Sequence, residues 1–87
     1  MKMAKLILYT GANCPKCPSA HKVLEEVANE LGLVAGSDYV EKNIDDEDVM
    51  IEALQYQIAS TPAFVINDEA VFIGDVPTKE ELMEKLK

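Results

Sequence analysis

Two closely spaced cysteines are the residues of this chain with the most chemical potential. They stand in the sequence Cys14-Pro15-Lys16-Cys17, and the chain has no other cysteine. A pair at this spacing can cycle between dithiol and disulfide, or it can provide two ligands to a metal ion. Two cysteines three positions apart are too few for a disulfide scaffold, and the sequence shows no secretory signal. The pair therefore indicates redox or metal chemistry rather than structural cross-linking.

The elements on either side of the pair predict a strand that leads directly into a helix. Leu6–Thr10 is a short apolar run that favours a buried strand and stops at Gly11. The helix is expected between Cys14 and Gly32, where apolar residues recur every three or four positions and trace one helix face. These residues are Ala20, Val23, Leu24, Val27, Ala28 and Leu31.

This placement predicts different roles for the two sulfurs. We expect Cys14 at the helix N-terminus with Pro15 as the first helical residue, so that backbone N–H groups favour the thiolate of Cys14. The cation of Lys16 has the same effect. Because the thiolate is the attacking species, Cys14 is the predicted nucleophile in thiol–disulfide exchange. Cys17, one turn further along and more shielded, is the predicted resolving cysteine.

A metal site is the alternative use of the cysteine pair. Tetrahedral zinc needs four ligands, and the only other soft ligand is His21, which is expected on the same helix. Closure of the site would require a carboxylate or a second chain. We therefore predict no metal and expect His21 to be a helix-surface residue. A binding module that uses the cysteines for zinc or copper(I) stays open as a different class of function.

The middle of the chain predicts a second strand and a second helix. The strand, Tyr39 to Ile44, is less apolar than the first and is expected at a sheet edge. The run Asp45-Asp46-Glu47-Asp48 then opens a helix that carries Val49, Ile51, Ala53, Leu54 and Ile58. The glycine and distal glutamate of a calcium-binding EF-hand loop are absent. The carboxylates are better explained as charges that complement the positive end of the helix.

The last third of the sequence predicts a β-hairpin and a terminal helix. Ala63–Ile66 and Ala70–Ile73 are the strands, with Asn67-Asp68-Glu69 as their turn. Thr78 followed by Glu81 is a capping-box pattern, and Leu82 and Leu86 are the expected inward contacts of the helix. The order predicts an α/β fold in which a four-stranded mixed sheet carries helices on both faces, formed by one domain over residues 1–87.

Ser60-Thr61-Pro62 precedes the hairpin, and base rates alone favour a trans bond there. Together with the cysteine motif at a strand–helix junction and Gly74 at the hairpin's end, Thr61-Pro62 resembles the thioredoxin superfamily. The resemblance covers essentially the whole chain, in the minimal βαβαββα form of glutaredoxins and small archaeal thioredoxins. The repeated Cys-Pro of Cys14-Pro15-Lys16-Cys17-Pro18 is most similar to the archaeal proteins.

The resemblance implies a protein disulfide oxidoreductase. Its electrons would be carried by a redox-active Cys14–Cys17 disulfide without a bound cofactor, and a separate reductase would recharge it. The Thr61–Pro62 bond would be cis, with Pro62 against the cysteines and main-chain pairing between Thr61 and an extended substrate. The implied docking surface around Cys14 consists of Asn13, Ala59, Thr61, Pro62 and Gly74.

Two departures from the family pattern bear on mechanism and on substrate. Leu8 stands where large thioredoxins carry a buried aspartate that assists proton transfer, and Asn13 stands where they carry a tryptophan. Both features resemble glutaredoxin, so a glutathione-dependent glutaredoxin is the alternative within the same class. However, Gly11 and Ala12 stand where glutaredoxins carry a basic residue, and Gly74 is single where they have two glycines.

Composition excludes several kinds of partner. Sixteen acidic residues against eight lysines give a formal charge of −8, which argues against nucleic acid and against an anionic membrane surface. The hydrophobic fraction of 48% is that of a folded globule. The longest apolar runs are too short to span a bilayer. We expect a cytoplasmic monomer.

Overall fold

The computed structural model describes residues 6–12 and 14–86, and these form four strands and three helices. The elements follow the predicted order and are β1 (Leu6–Thr10), α1 (Cys17–Leu31), β2 (Tyr39–Asn43), α2 (Glu47–Gln55), β3 (Ala63–Ile66), β4 (Glu69–Ile73) and α3 (Lys79–Leu86).

The four strands form one mixed sheet in the order β2-β1-β3-β4. Strand β1 is parallel to β2 and antiparallel to β3, which is in turn antiparallel to β4. This places β2 at an edge, as its composition predicted. The carboxyl ends of β1 and β2 and the start of β3 therefore lie at the same end of the sheet, because Tyr9 pairs with Ala63.

Alternation along the central strands divides the core into two layers, and helices cover both faces of the sheet as predicted. One layer packs β1 and β3 against α1 and α3; its buried residues are Leu6, Leu8, Ala20, Leu24, Val27, Phe64, Ile66, Leu82 and Leu86. The other layer packs the opposite face of the same strands against α2 and the segment after it; its buried residues are Ile7, Tyr9, Ala53, Ile58, Ala63 and Val65.

The start of α1 differs from the prediction. The helix begins at Cys17 with Lys16 as its N-cap residue, so Pro15 lies in the preceding turn and is not the first helical residue. Pro18 occupies the first helical turn instead. Proline is tolerated in that turn because the N–H it lacks has no intrahelical partner there. The helix ends as predicted, with Gly32 in a left-handed conformation at φ 71°.

Smaller differences concern the ends of other elements. Strand β2 stops at Asn43, and Ile58 is buried but lies after the end of α2. Glu69 belongs to β4, which leaves Asn67 and Asp68, both with positive φ, as the two turn residues of the hairpin.

Side-chain caps lie at the starts of α2 and α3. The Asp46 side chain caps α2 and accepts a hydrogen bond from the N–H of Asp48. In α3, Glu81 N–H donates to Thr78 Oγ1 at 3.1 Å, and Thr78 N–H donates to Glu81 Oε1 at 2.9 Å, which is the predicted capping box. Within the described parts of the chain, no helix has the length and apolar character needed to cross a membrane.

Candidate functional site

The two cysteines form a disulfide where β1 gives way to α1. Their Cα atoms are 5.4 Å apart, a normal separation for a disulfide. Cys17, the first residue of the helix, is 7% exposed, whereas Cys14 is only partly buried. The intervening Pro15 and Lys16 are exposed. Cys14 is thus the more accessible of the two sulfur-bearing residues, as expected.

Cys14 lies outside the helix that was expected to begin with it. Its backbone carbonyl accepts a 3.3 Å hydrogen bond from Cys17 N–H, and the helical ladder starts only with Ala20 N–H donating to Lys16 O at 3.0 Å. Pro18 has no N–H to offer. The first N–H groups of α1 therefore stabilise a Cys14 thiolate less directly than they would if the helix began at Cys14. The position of Cys14 consequently depends more on the loop that precedes it.

The loop before Cys14 is in contact with two other parts of the chain. Ala12 N–H donates to Asp45 Oδ2 at 3.0 Å, which connects the loop to the turn between β2 and α2. A Cβ atom added to the preceding Gly11 would lie 3.3 Å from Thr61 Oγ1 and 3.6 Å from Ile44 Cγ1. The loop thus passes through a narrow space that a glycine fits well.

The Thr61–Pro62 peptide bond is cis. This agrees with the expectation from the family resemblance, whereas the trans bond that base rates favoured is wrong. Pro62 is buried, Thr61 is partly buried, and Ala59 is exposed. The carbonyl of Pro62 accepts a 2.8 Å hydrogen bond from the N–H of Gly74, which joins two of the predicted docking residues.

Gly74 is held in a conformation that suits glycine. Its φ is +76°, and a Cβ atom at this position would lie 3.1 Å from the Cβ of Ser60. The segment after β4 therefore passes close to the segment before the cis bond. Asn13, the remaining predicted docking residue, lies outside the described residues.

His21 is exposed on α1 and is held by two carboxylates. Its Nδ1 contacts Glu41 of β2, and its Nε2 lies 3.3 Å from Glu25, one turn further along the helix. The hydrogen bond to Glu41 is the main reason that the pKa of His21 is raised above 6.5. His21 is therefore a surface residue, as predicted. Among residues 6–12 and 14–86, no three metal-binding side chains are grouped suitably for an ion.

A polar contact beneath the sheet was not predicted. The hydroxyl of fully buried Tyr9 donates to Glu52 Oε1 at 2.5 Å, and Lys42 Nζ donates to the same oxygen at 2.7 Å. Burial and the Glu52 carboxylate raise the pKa of Tyr9, so this hydroxyl stays protonated at neutral pH. The contact ties α2 to β1 and β2. The opposite face of β1 carries the buried, apolar Leu8.

Asp45 is the site contact that the sequence prediction missed. It was grouped with three other acidic residues as charge at the start of α2, whereas its carboxylate instead contacts the loop before Cys14. The signal that could have revealed it is topological. Asp45 lies two residues after the end of β2, as Ala12 lies two residues after the end of β1, and parallel neighbours place their carboxyl ends side by side.

Comparison with known proteins supports one family throughout. A family model described as "Thioredoxin domain" matches residues 3–87. A thioredoxin of Methanocaldococcus jannaschii is 39% identical over 87 residues, which is all of this chain and 96% of that protein. A probable thioredoxin of Archaeoglobus fulgidus is 35% identical over 85 residues, covering 98% of this chain and 88% of the relative.

Solved structures agree with the sequence comparison. The crystal structure of a mutant thioredoxin-like protein matches with a TM-score of 0.66 at 25% identity, covering 95% of this chain and 100% of the other. The solution structure of oxidised thioredoxin from Plasmodium falciparum matches with a TM-score of 0.62 over 94% of this chain and 81% of that one. At 18% identity, this second likeness concerns the fold alone.

Proposed function

The chain belongs to the thioredoxin domain family, and we propose that it reduces protein disulfides with Cys14 as the attacking sulfur and Cys17 as the resolving sulfur. Disulfide oxidoreduction is the activity of this family, and it requires no bound cofactor because the electrons are carried by the protein's own cysteines. The observation that best supports the proposal is a Cys14–Cys17 disulfide whose first residue is accessible and whose second is 7% exposed.

The reaction proceeds in two exchanges. The Cys14 thiolate attacks one sulfur of a substrate disulfide, the substrate S–S bond breaks, and the second substrate sulfur leaves as a thiolate that takes up a proton. Cys17 then loses its proton and attacks the sulfur of Cys14. This forms the intramolecular disulfide and releases the first substrate sulfur as a thiol. Two electrons have passed from the protein to the substrate.

We infer that an extended substrate binds at the docking surface predicted around Cys14. The predicted docking residues with described positions are Ala59, Thr61, Pro62 and Gly74. Thr61 and Pro62 form the cis bond, and the Gly74 N–H bond to Pro62 O fixes the segment after β4 beside it. Main-chain pairing along Thr61 would accept many sequences, since it does not depend on substrate side chains. Pro15 and Lys16 would border this surface, and Asn13 remains a predicted member of it.

Partners follow from the family in general terms. Thioredoxins act on protein disulfides and are recharged by a reductase, so a separate electron donor is expected here. The glutathione-dependent alternative has less support, because the curated relatives named above are a thioredoxin and a probable thioredoxin. The cytoplasmic location and the monomeric state stay predictions from the sequence.

Insulin reduction tests the proposed activity. With dithiothreitol as donor, the protein should accelerate precipitation of the insulin B chain, and Cys14→Ser should abolish the acceleration. Glutathione alone should support little turnover. A protein that turns over small glutathione mixed disulfides but leaves insulin intact would instead be a glutaredoxin.

Trapping tests the assignment of the two cysteines. Cys17→Ser should accumulate a mixed disulfide between Cys14 and substrate, which can be detected by mass spectrometry, because the resolving step is removed. Cys14→Ser is the matched control and should trap nothing. Equal trapping by both variants would contradict the assignment, and loss of a bound metal without any trapping would favour the metal-binding alternative.

A further inference from the structure

A carboxylate contacts the loop between β1 and the cysteine motif at Ala12. We propose that Asp45 is a positioning residue for Cys14: its hydrogen bond to Ala12 N–H fixes the loop that carries the attacking sulfur. This deepens the proposed function, because it concerns how the same site keeps its nucleophile in place. The contact is 3.0 Å long and joins residues 33 positions apart.

Cys14 depends on this loop because no regular element contains it. Strand β1 ends at Thr10 and α1 begins at Cys17. Between them, the contacts seen among the described residues that hold Cys14 from the helix side are the 3.3 Å hydrogen bond from Cys17 N–H to its carbonyl and, in the oxidised protein, the disulfide. Reduction removes the disulfide. The reduced nucleophile then depends on the loop anchored at Ala12, two residues before it.

Asp45 is itself well fixed. The N–H of Ile44 donates to Thr10 O at 2.8 Å, which extends the pairing of β1 and β2 beyond the last residue of β2. The N–H of Asp45 donates to Asn43 Oδ1 at 2.8 Å, and this local hydrogen bond in the turn holds the backbone of Asp45. The Asp45 carboxylate therefore projects from the end of the sheet and not from a free loop. It can thus restrain Ala12, whose N–H it binds.

The residue before Ala12 is also closely surrounded. A Cβ atom added to Gly11 would lie 3.3 Å from Thr61 Oγ1 and 3.6 Å from Ile44 Cγ1, so a glycine suits this space. Gly11 thus passes close to the first residue of the cis bond, and the Asp45 contact holds the next residue of the same loop. Loss of the Asp45 contact removes that restraint at Ala12.

The acidic run offers matched controls within four residues. Asp46 is next to Asp45 and carries the same charge, but its carboxylate caps α2 by accepting from Asp48 N–H at 3.0 Å. Asp46→Ala therefore removes a charge and a helix cap without breaking the contact with Ala12. Asp45→Asn removes the charge but keeps an oxygen that can accept the Ala12 hydrogen bond. Asp45→Ala removes both.

Three readouts separate the possibilities, each made on the full chain. Hydrogen exchange of the Ala12 amide reports the hydrogen bond directly. The iodoacetamide alkylation rate of Cys14 across pH, measured in a Cys17→Ser background, reports the nucleophile, and insulin turnover reports the reaction. For Asp45→Ala we expect faster exchange at Ala12 and a fall of roughly threefold to tenfold in alkylation and turnover, as for one lost hydrogen bond.

The controls decide between positioning and charge. Asp45→Asn should stay within about twofold of the native rates, since it keeps an acceptor. Asp46→Ala should lower the unfolding midpoint while alkylation and turnover stay at native levels. The proposal is overturned if Asp45→Ala matches the native protein in all three readouts, or if Asp45→Asn loses as much as Asp45→Ala. Native protein inactive on insulin would refute the proposed function alone, because Ala12 exchange and Cys14 alkylation would still test the positioning role.

Discussion

At the scale of single residues, the His21–Glu41 contact makes folding sensitive to pH. The hydrogen bond to Glu41 raises the pKa of His21 above 6.5, with smaller contributions from Glu25, while partial burial acts in the opposite direction. A group whose pKa is higher in the folded state stabilises that state fully below its unfolded pKa. The stabilisation is lost as the pH rises through the folded value. The groups facing the imidazole are thus two carboxylates, one from α1 and one from β2.

Glu41→Gln tests this contact. The variant should be less stable than the native protein at about pH 5.5, by a few tenths to about 1 kcal/mol, because the pair is largely exposed and screened by solvent. The difference should shrink as the pH is raised to about 8.5, because the native protein loses this stabilisation as the pH rises through the raised pKa of His21. Urea unfolding at the two pH values measures it. Glu26→Gln is the control, because Glu26 lies on the same helix as His21 but outside this contact. An equal pH dependence of stability in both variants would contradict the assignment of the effect to the His21–Glu41 contact.

At the scale of elements, Gly74 joins the segment after β4 to the segment before the cis bond. Gly74 and Gly36 both have positive φ, at 76° and 87°, but only Gly74 has a neighbour in the path of a Cβ atom. Gly36→Ala therefore measures backbone strain alone. Gly74→Ala adds a 3.1 Å contact with the Cβ of Ser60, and overpacking of this kind costs about 1–3 kcal/mol.

We expect Gly74→Ala to be the more destabilising of the two alanine variants by about that amount in urea unfolding. The double variant Ser60→Gly with Gly74→Ala should recover much of the difference, because it removes the atom that the new side chain meets. Equal losses at Gly36 and Gly74, or no recovery in the double variant, would show that the two segments can move apart freely.

The ends of the elements show where sequence reasoning succeeds. Gly32 as the stop of α1 and the Thr78–Glu81 capping box were predictable because the residues that form them are neighbours in the chain. The start of α1 was not predictable, because Pro15 and Pro18 are both compatible with a first helical turn. Local sequence preference does not decide which of the two prolines lies in that turn.

The site likewise combines motifs that are visible in the local sequence with contacts between residues far apart in the chain. The cysteine pair and Thr61-Pro62 are visible in the sequence, and their resemblance to a known family led to the cis bond. The contacts of Asp45 with Ala12 and of Tyr9 with Glu52 are not visible, since they join residues 33 and 43 positions apart. Such contacts depend on how β1, β2 and α2 are placed relative to one another, and no single stretch of sequence specifies that placement.

At the scale of the whole molecule, the formal charge of −8 should influence which disulfides react fastest. Long-range attraction raises the encounter rate with oppositely charged partners and weakens as salt shortens the screening length. We expect a basic disulfide peptide to be reduced faster than an acidic one of the same length at low salt. The ratio of the two rates should fall toward one as ionic strength rises from about 10 mM to about 500 mM.

Stopped-flow measurement of both peptides at several salt concentrations provides the test. A neutral peptide serves as the control for general salt effects on the chemistry, and its rate should change little. A rate ratio that stays constant across the salt range would mean that the acidic surface has no part in selecting substrates.

The hairpin turn offers a practical consequence of the topology. Because β3 begins at the end of the sheet from which β1 leads to the cysteine motif, and runs away from that end, the Asn67–Asp68 turn lies at the far end of the sheet. Both residues are exposed. A fluorophore or an affinity handle attached there would be separated from the reacting sulfurs by the length of a strand. Substrates captured as mixed disulfides could then be recovered and imaged through this label, while the end of the protein that carries the cysteines stays accessible.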